Sequence, residues 1–171
     1  MNAPRVWHAS RDAYHCTFRL TRLLLANGGK IELERARILD MYLLYPALLH
    51  KTSMPQAVRT SFLELAVPKP NQIFISLPST ASVFQDLRLY QNAAVTHLRA
   101  RGLVNTQFLR RGILSMEADT APAALVDGAQ AKNDTDGGLT AFLTGPFSLI
   151  PLHGSDNIYK KAQLPSRAIA V

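Results

Sequence analysis

Residues 82–117 read SVFQDLRLYQNAAVTHLRARGLVNTQFLRRGILSME, and their reading decides the fold. Val83, Leu87, Tyr90, Ala94 and Leu98 recur at spacings of 4, 3, 4 and 4, which keeps one apolar stripe on one side of a helix. Ser82 with Gln85 forms a capping-box pattern at the start, and Gly102 supplies the stop. The segment is one helix, or two joined by a turn around Asp86 to Arg88; the sequence admits both. Beyond Gly102, the apolar runs Leu103–Leu109 and Ile113–Glu117 flank Arg110-Arg111-Gly112 and predict a β-hairpin.

Upstream, Ser10 is the expected cap of a helix from Arg11 to Ala26 that Asn27-Gly28-Gly29 stops. Glu34 to Tyr45 reads as a second helix, with Ile38, Tyr42, Tyr45 and Leu49 on one stripe and Pro46 as its end or kink. A further helix starts around Ser53 to Pro55 and runs to Ala66, and residues 73–77 alternate as a short strand. Downstream, a short helix from Ala121 to Asp127 is expected, then a mobile loop over 128–138, an apolar stretch from Leu139 to Leu152, and a basic tail.

Helices, a strand, a long helix and then a hairpin give an α+β, mainly α class, a winged helix-turn-helix-like domain with a small β-hairpin wing. Residues 1–120 form that domain, and 121–171 a C-terminal extension packing on it. Opposite the core stripe the long helix exposes Gln85, Arg88, Asn92, Thr96 and Arg99, while Arg101, Arg110 and Arg111 follow toward the wing tip. In winged-helix DNA readers the helix before the hairpin enters the major groove, where Asn reads adenine and Arg reads guanine or clamps phosphate. A solvated or partner-facing helix presents the same pattern. The candidate nucleic-acid or partner-binding residues are therefore Arg88, Asn92, Arg99, Arg101, Arg110 and Arg111.

The 171 residues carry a net charge of +7, unevenly spread: +5 over 1–81, +4 over 82–111, −5 over 112–157 and +3 over 158–171. A basic block followed by an acidic one suggests two surfaces with different partners. The apolar run from Ile38 to Leu49 is interrupted by Asp40 and Pro46 and falls well short of the about 20 residues a membrane span requires. A lone cysteine, Cys16, and no apolar signal segment in Met1–Ser10 suit the cytoplasm.

Catalytic patterns do not emerge. The five histidines are dispersed, Cys16 reads as a small buried hydrophobe, and neither a nucleophile elbow nor a phosphate-binding loop is present. Asn133-Asp134-Thr135-Asp136-Gly137-Gly138 imitates the middle of a calcium loop, but that frame puts Lys132 and Leu143 where oxygen donors are needed. The expectation is a protein that is not an enzyme and carries no cofactor or metal.

Asp12 to Leu20, Arg37 to Pro46 and Tyr90 to Val104 together resemble the middle component of bacterial ABC three-component conflict systems, a group that includes the Lamassu anti-phage operons. The resemblance covers about residues 11 to 116 and rests mostly on core positions. It implies a small non-catalytic adaptor between an SMC-like ABC ATPase, which senses DNA, and an effector, often a nuclease, whose activation it controls. Contact with DNA is secondary in that reading. The alternative is a winged-helix DNA-binding transcriptional regulator.

Overall fold

A computed structural model of the chain describes residues 7–72 and 76–165. Eight α-helices, several short 3-10 turns and two strands make up the described residues: α1 (Ala13–Ala26), β1 (Lys30–Glu32), α2 (Leu33–Leu44), α3 (Gln56–Glu64), α4 (Thr80–Ala100), α5 (Thr106–Arg110), β2 (Ile113–Ser115), α6 (Ala123–Asp134), α7 (Leu139–Thr144) and α8 (Ile158–Lys161). The molecule is mainly helical with a small two-stranded antiparallel sheet, consistent with the α+β class.

Local chemistry sets the helix ends. Asp12 caps α1, its Oδ1 accepting from the amides of Tyr14 at 2.8 Å and His15 at 3.1 Å. Ser10 instead sits in a preceding 3-10 turn and contacts His8, so the expected cap lies two residues too early. Gly28 and Gly29, at φ +71° and +85°, close the C-terminal end, with the Gly29 amide donating to the Leu24 carbonyl at 2.7 Å. The chain then turns straight into β1. α4 is a single unbroken helix of 21 residues. Ser79, not Ser82, is its N-cap and accepts from the Ser82 amide at 3.1 Å. Pro46 ends α2 and opens a 3-10 turn over Pro46–Lys51.

The expected hairpin over Leu103–Leu109 and Ile113–Glu117 forms only at its base, where the Asn105 amide donates to the Ser115 carbonyl at 2.9 Å and the Glu117 amide to the Leu103 carbonyl at 3.0 Å. The Asn105 side chain accepts from the amides of Gln107 at 3.0 Å and Phe108 at 3.2 Å, which starts α5 where a strand was expected. β2 pairs instead with β1, in the register Lys30–Ser115, Ile31–Leu114 and Glu32–Ile113. Of the hairpin only a single bridge, Val104 with Met116, remains on the other edge of β2. Arg110 and Arg111 therefore end a short helix in the connection between the Val104 bridge and β2. The stretch 128–138, expected as a mobile loop, is helical through Asp134 in α6. The expected strand at 73–77 and the last part of the basic tail fall largely outside the described residues.

The core is one cluster. Leu20, Leu23 and Leu24 of α1, Ile38, Leu39 and Tyr42 of α2, and Val83, Leu87, Ala94 and Leu98 of α4 meet Phe142, Leu143 and Phe147 from the C-terminal third. α6 lies along α1, and α7 packs on both α1 and α2. Tyr42 meets Phe147 edge-on with centroids 5.3 Å apart, and Phe142 joins Phe147 at 5.7 Å and Phe62 at 5.8 Å, which carries the core from α2 to α3.

Candidate functional site

Polar side chains inside the core decide how α4 is presented. Asp40 of α2 is fully buried and faces Arg19 of α1, itself 2% exposed. Arg19 Nε donates to Asp40 Oδ1 at 2.6 Å and Nη2 to Oδ2 at 3.2 Å, a two-pronged pair. Gln91 of α4 donates from Nε2 to Asp40 Oδ2 at 2.9 Å and to the Arg37 carbonyl at 3.1 Å. Cys16 Sγ is 3.7 Å from Asp40 Oδ2. One carboxylate thus ties three helices, because buried charge is tolerated only when its lone pairs are used. Burial, with Asp40 beside it, pushes the Cys16 thiol far above the usual range, so it remains protonated and unreactive.

A second clamp holds the C-terminal third. Arg22 of α1 donates from Nη2 to Asp136 Oδ2 at 2.7 Å and to Thr140 Oγ1 at 3.0 Å, and from Nε to Asn133 Oδ1 at 2.9 Å. Asn133 Nδ2 returns a bond to the Arg22 carbonyl at 3.0 Å. Asp136, a would-be donor of the calcium-like pattern, and Asn133 within the same stretch are turned onto this arginine, while Asp134 Oδ1 accepts from Gln130 Nε2 at 2.9 Å. Among the described residues no three His, Cys, Asp or Glu side chains gather in a way that could hold a metal ion.

His15 links the first clamp to pH. Arg19 Nη1 donates to His15 Nδ1 at 2.6 Å, which requires that nitrogen to be unprotonated. Burial first, and the Arg19 charge second, hold the imidazole below its ordinary 6.5; Asp12 and Asp40 pull the other way, and Arg22 adds to the depression. The unfolded chain therefore binds this proton more readily than the folded one. Stability should be highest above about pH 6.5 and fall as the pH drops below it. Urea unfolding at pH 7.5 and 5.5 checks this, and His15→Gln should flatten the difference.

With α4 fixed by Gln91 and its stripe, its opposite side faces solvent. Arg88, Asn92 and Arg99 are exposed there, and Arg101 is the exposed C-cap residue. Asn92 Oδ1 accepts from Arg37 Nη2 at 2.5 Å. Arg110 and Arg111 are also exposed but belong to the end of α5, which packs on β2. Among the described residues no ion pair engages any of these five arginines, and no hydrogen bond joins Arg110 or Arg111 to the α4 group. The structure thus gathers Arg88, Asn92, Arg99 and Arg101 on one helix and sets Arg110 and Arg111 on another.

Two residues on this side were not singled out from sequence. Leu89 is 70% exposed, and it falls four residues after Gln85, a spacing that places it on the outer face. Arg37 lies beside the α2 core position Ile38, and nothing in one sequence shows that it reaches across to Asn92.

This middle-sized helical body, with its chemistry-bearing groups turned inward and a basic helix face turned outward, can now be compared with known families. A family model described as ABC-three component (ABC-3C) system middle component 5 matches residues 5–167, nearly the whole chain. The chain belongs to that family. The match extends through α6, α7 and α8. Comparisons with curated proteins and with solved structures return no match. As a middle component, the protein is an adaptor-type part of a multi-component system and partners with the other components. Among the described residues no helix is long and apolar enough to cross a membrane.

Proposed function

We propose that the chain is a non-catalytic cytoplasmic adaptor that bridges an SMC-like ABC ATPase and an effector nuclease in a Lamassu-type anti-phage complex and controls release of the effector. The observation that carries this reading is the family match over residues 5–167, in a chain that presents a solvent-facing α4 surface with no ion pair to it among the described residues. Cys16, Asp40, Asp136, Arg19 and Arg22 are engaged in internal clamps, which supports a structural use for the residues otherwise suited to chemistry. A bridging subunit controls its partner only if its contacts differ between two assembly states, so two surfaces are required. The basic α4 face and the acidic stretch over 112–157 supply candidates of opposite sign.

The element order also supports a winged-helix-like fold. α1, β1, α2, α4, the Val104 bridge and β2 come in the order of the helices and strands of that architecture, with α3 inserted between α2 and α4 and α5 occupying the connection in which a wing would project.

Co-expression with the other two components followed by size-exclusion chromatography tests the adaptor reading. Co-elution with both is expected, and elution of the chain as an isolated monomer overturns it. A DNA-binding regulator is the second reading, favoured by exposed Arg88, Arg99, Arg101, Arg110 and Arg111. It requires duplex binding whose log K falls by about 0.9 per phosphate contacted as log salt rises. Fluorescence anisotropy at two salt concentrations distinguishes the two, since a regulator must bind DNA alone and an adaptor need not.

A further inference from the structure

The segment before α1 lies across the helices as a strap. Trp7 and His8 lead into the 3-10 turn Ala9–Arg11, which packs on α1 and α4, and His8 stacks on Tyr45 at the end of α2 with ring centroids 6.3 Å apart. Few bonds hold it. The Ala9 carbonyl accepts from Arg19 Nη1 at 3.2 Å, and Trp7 Nε1 donates to Asp12 Oδ2 at 2.8 Å. The Trp7 ring meets the His15 ring edge-on, with centroids 6.0 Å apart. Trp7 is 66% exposed and the turn contains no buried residue, so burial of apolar surface contributes little to keeping the segment in place.

The anchors converge on one imidazole. Arg19 Nη1 carries two hydrogens and directs them to the Ala9 carbonyl and to His15 Nδ1. A proton on Nδ1 removes that acceptor and brings two cations into contact. Arg19 cannot yield, because Nε and Nη2 are held by Asp40 at 2.6 and 3.2 Å. The imidazole must therefore move, and Trp7 rests against it. His15 also lies in the first turn of α1, where the free amides of a helix N-terminus disfavour a cation.

The charges acting on the ring are Asp12, Arg19 and Arg22 of α1 and its cap, and Asp40 of α2. Among the described residues α4, α6 and α7, which also pack on α1, add none to this set; α4 brings His97, stacked on Tyr14 at 4.9 Å, and the strap itself carries His8 and Arg11. Asp12 is the one carboxylate near enough to turn toward an imidazolium. Its Oδ1 already accepts from the amides of Tyr14 and His15 and its Oδ2 from Trp7, so such a turn would itself release the indole.

We propose that Trp7–Arg11 is a strap latched by neutral His15, and that protonation of His15 frees it from α4 and from Tyr45 while the core stays folded. Release is local because the Arg19–Asp40–Gln91 clamp uses other atoms than the latch. Acid thereby uncovers Tyr45 and the strap-facing side of α4. The device belongs to the chain alone and stands whether or not the adaptor reading does.

Trp7 is the sole tryptophan, so its indole N–H gives one resonance in a nitrogen–proton NMR spectrum. In the wild-type chain that resonance and the His15 ring protons are expected to shift together, with one midpoint below pH 6.5. Trp7 fluorescence anisotropy should fall over the same range while the far-UV circular dichroism holds. His15→Gln, whose side-chain oxygen accepts from Arg19 at every pH, should abolish both changes; His8→Gln and His97→Gln should leave them in place. Persistence of the changes in His15→Gln, or their loss in His8→Gln or His97→Gln, overturns the latch. An indole that does not titrate overturns it too, as does an anisotropy fall that coincides with loss of helix signal. Should His15→Gln fail to fold, different midpoints for Trp7 and His15 in the wild-type chain decide against the latch, and a shared midpoint decides for it.

Discussion

Replacing Asp40 with alanine is expected to lower the unfolding free energy by about 3–5 kcal/mol. Arg19 is 2% exposed and would keep its charge with no counter-ion in reach, while Gln91 and Cys16 would lose the oxygen they share. Leaving a buried cation unpaired costs far more than the pair contributes over an apolar replacement, because water cannot reach the stranded group. For a chain of this length the loss corresponds to a fall of roughly 6–20 °C in Tm. The double replacement Arg19→Met with Asp40→Leu separates the two contributions. It removes both charges at similar volume and should recover most of the stability, since Gln91 still donates to the Arg37 carbonyl at 3.1 Å. Urea denaturation of the three proteins decides the matter; a cost under about 1 kcal/mol for the single change would show that the clamp does not hold α1, α2 and α4 together.

Cutting the chain after Thr120 should abolish cooperative folding. Residues 121–165 supply Phe142, Leu143, Phe147, Ile150, Leu152, Ile158 and Leu164 to the core. Each such side chain contributes about 1.5–3 kcal/mol on burial, and seven of them together match or exceed the 5–15 kcal/mol by which a domain is usually stable. Arg22 of α1 would in addition lose Asp136, Asn133 and Thr140. Circular dichroism should show reduced helix content and a broad, non-sigmoidal melt. A sharp transition with native helix content would mean that residues 1–120 stand alone and that the C-terminal third only rests on them.

Much of the helical frame is legible in local sequence. In the α4 stripe Val83, Leu87, Ala94 and Leu98 are buried as the spacing predicts while Tyr90 is only half-buried and Gln91 is turned into the core beside it; the Gly28-Gly29 stop lies where expected, and Gly102 at φ +67° ends α4. These depend on residues a turn or two apart, and local spacing suffices. Cap assignment slipped by two or three residues because Ser10 and Ser82 satisfy the same local rule as Asp12 and Ser79, and only the direction of the approaching chain chooses between them. The β-hairpin is reduced to its base for a different reason. Leu103–Leu109 has a strand-like composition, but Asn105 caps a helix, and the partner that β2 needs is a three-residue strand with a single apolar residue, Ile31, more than eighty positions upstream. So short a strand leaves no periodic trace.

The candidate face divides in the same way. Arg88, Asn92 and Arg99 follow from helical spacing alone, since any residue opposite a core stripe is turned outward. That Arg110 and Arg111 stand on a separate helix, and that Arg37 reaches Asn92 with a buried N–H left over, depends on how α2, α4 and α5 pack. Sequence by itself determined that α1, α2, α3 and α4 exist, where α1 and α4 stop and which side of α4 meets water, because these are properties of neighbours along the chain; α5, the second half of α6, α7 and α8 left no such local trace. Only the tertiary structure decided the strand pairing, the Asp40 and Arg22 clamps and the place of the C-terminal third in the core, because each joins groups that come close only after the whole chain has folded.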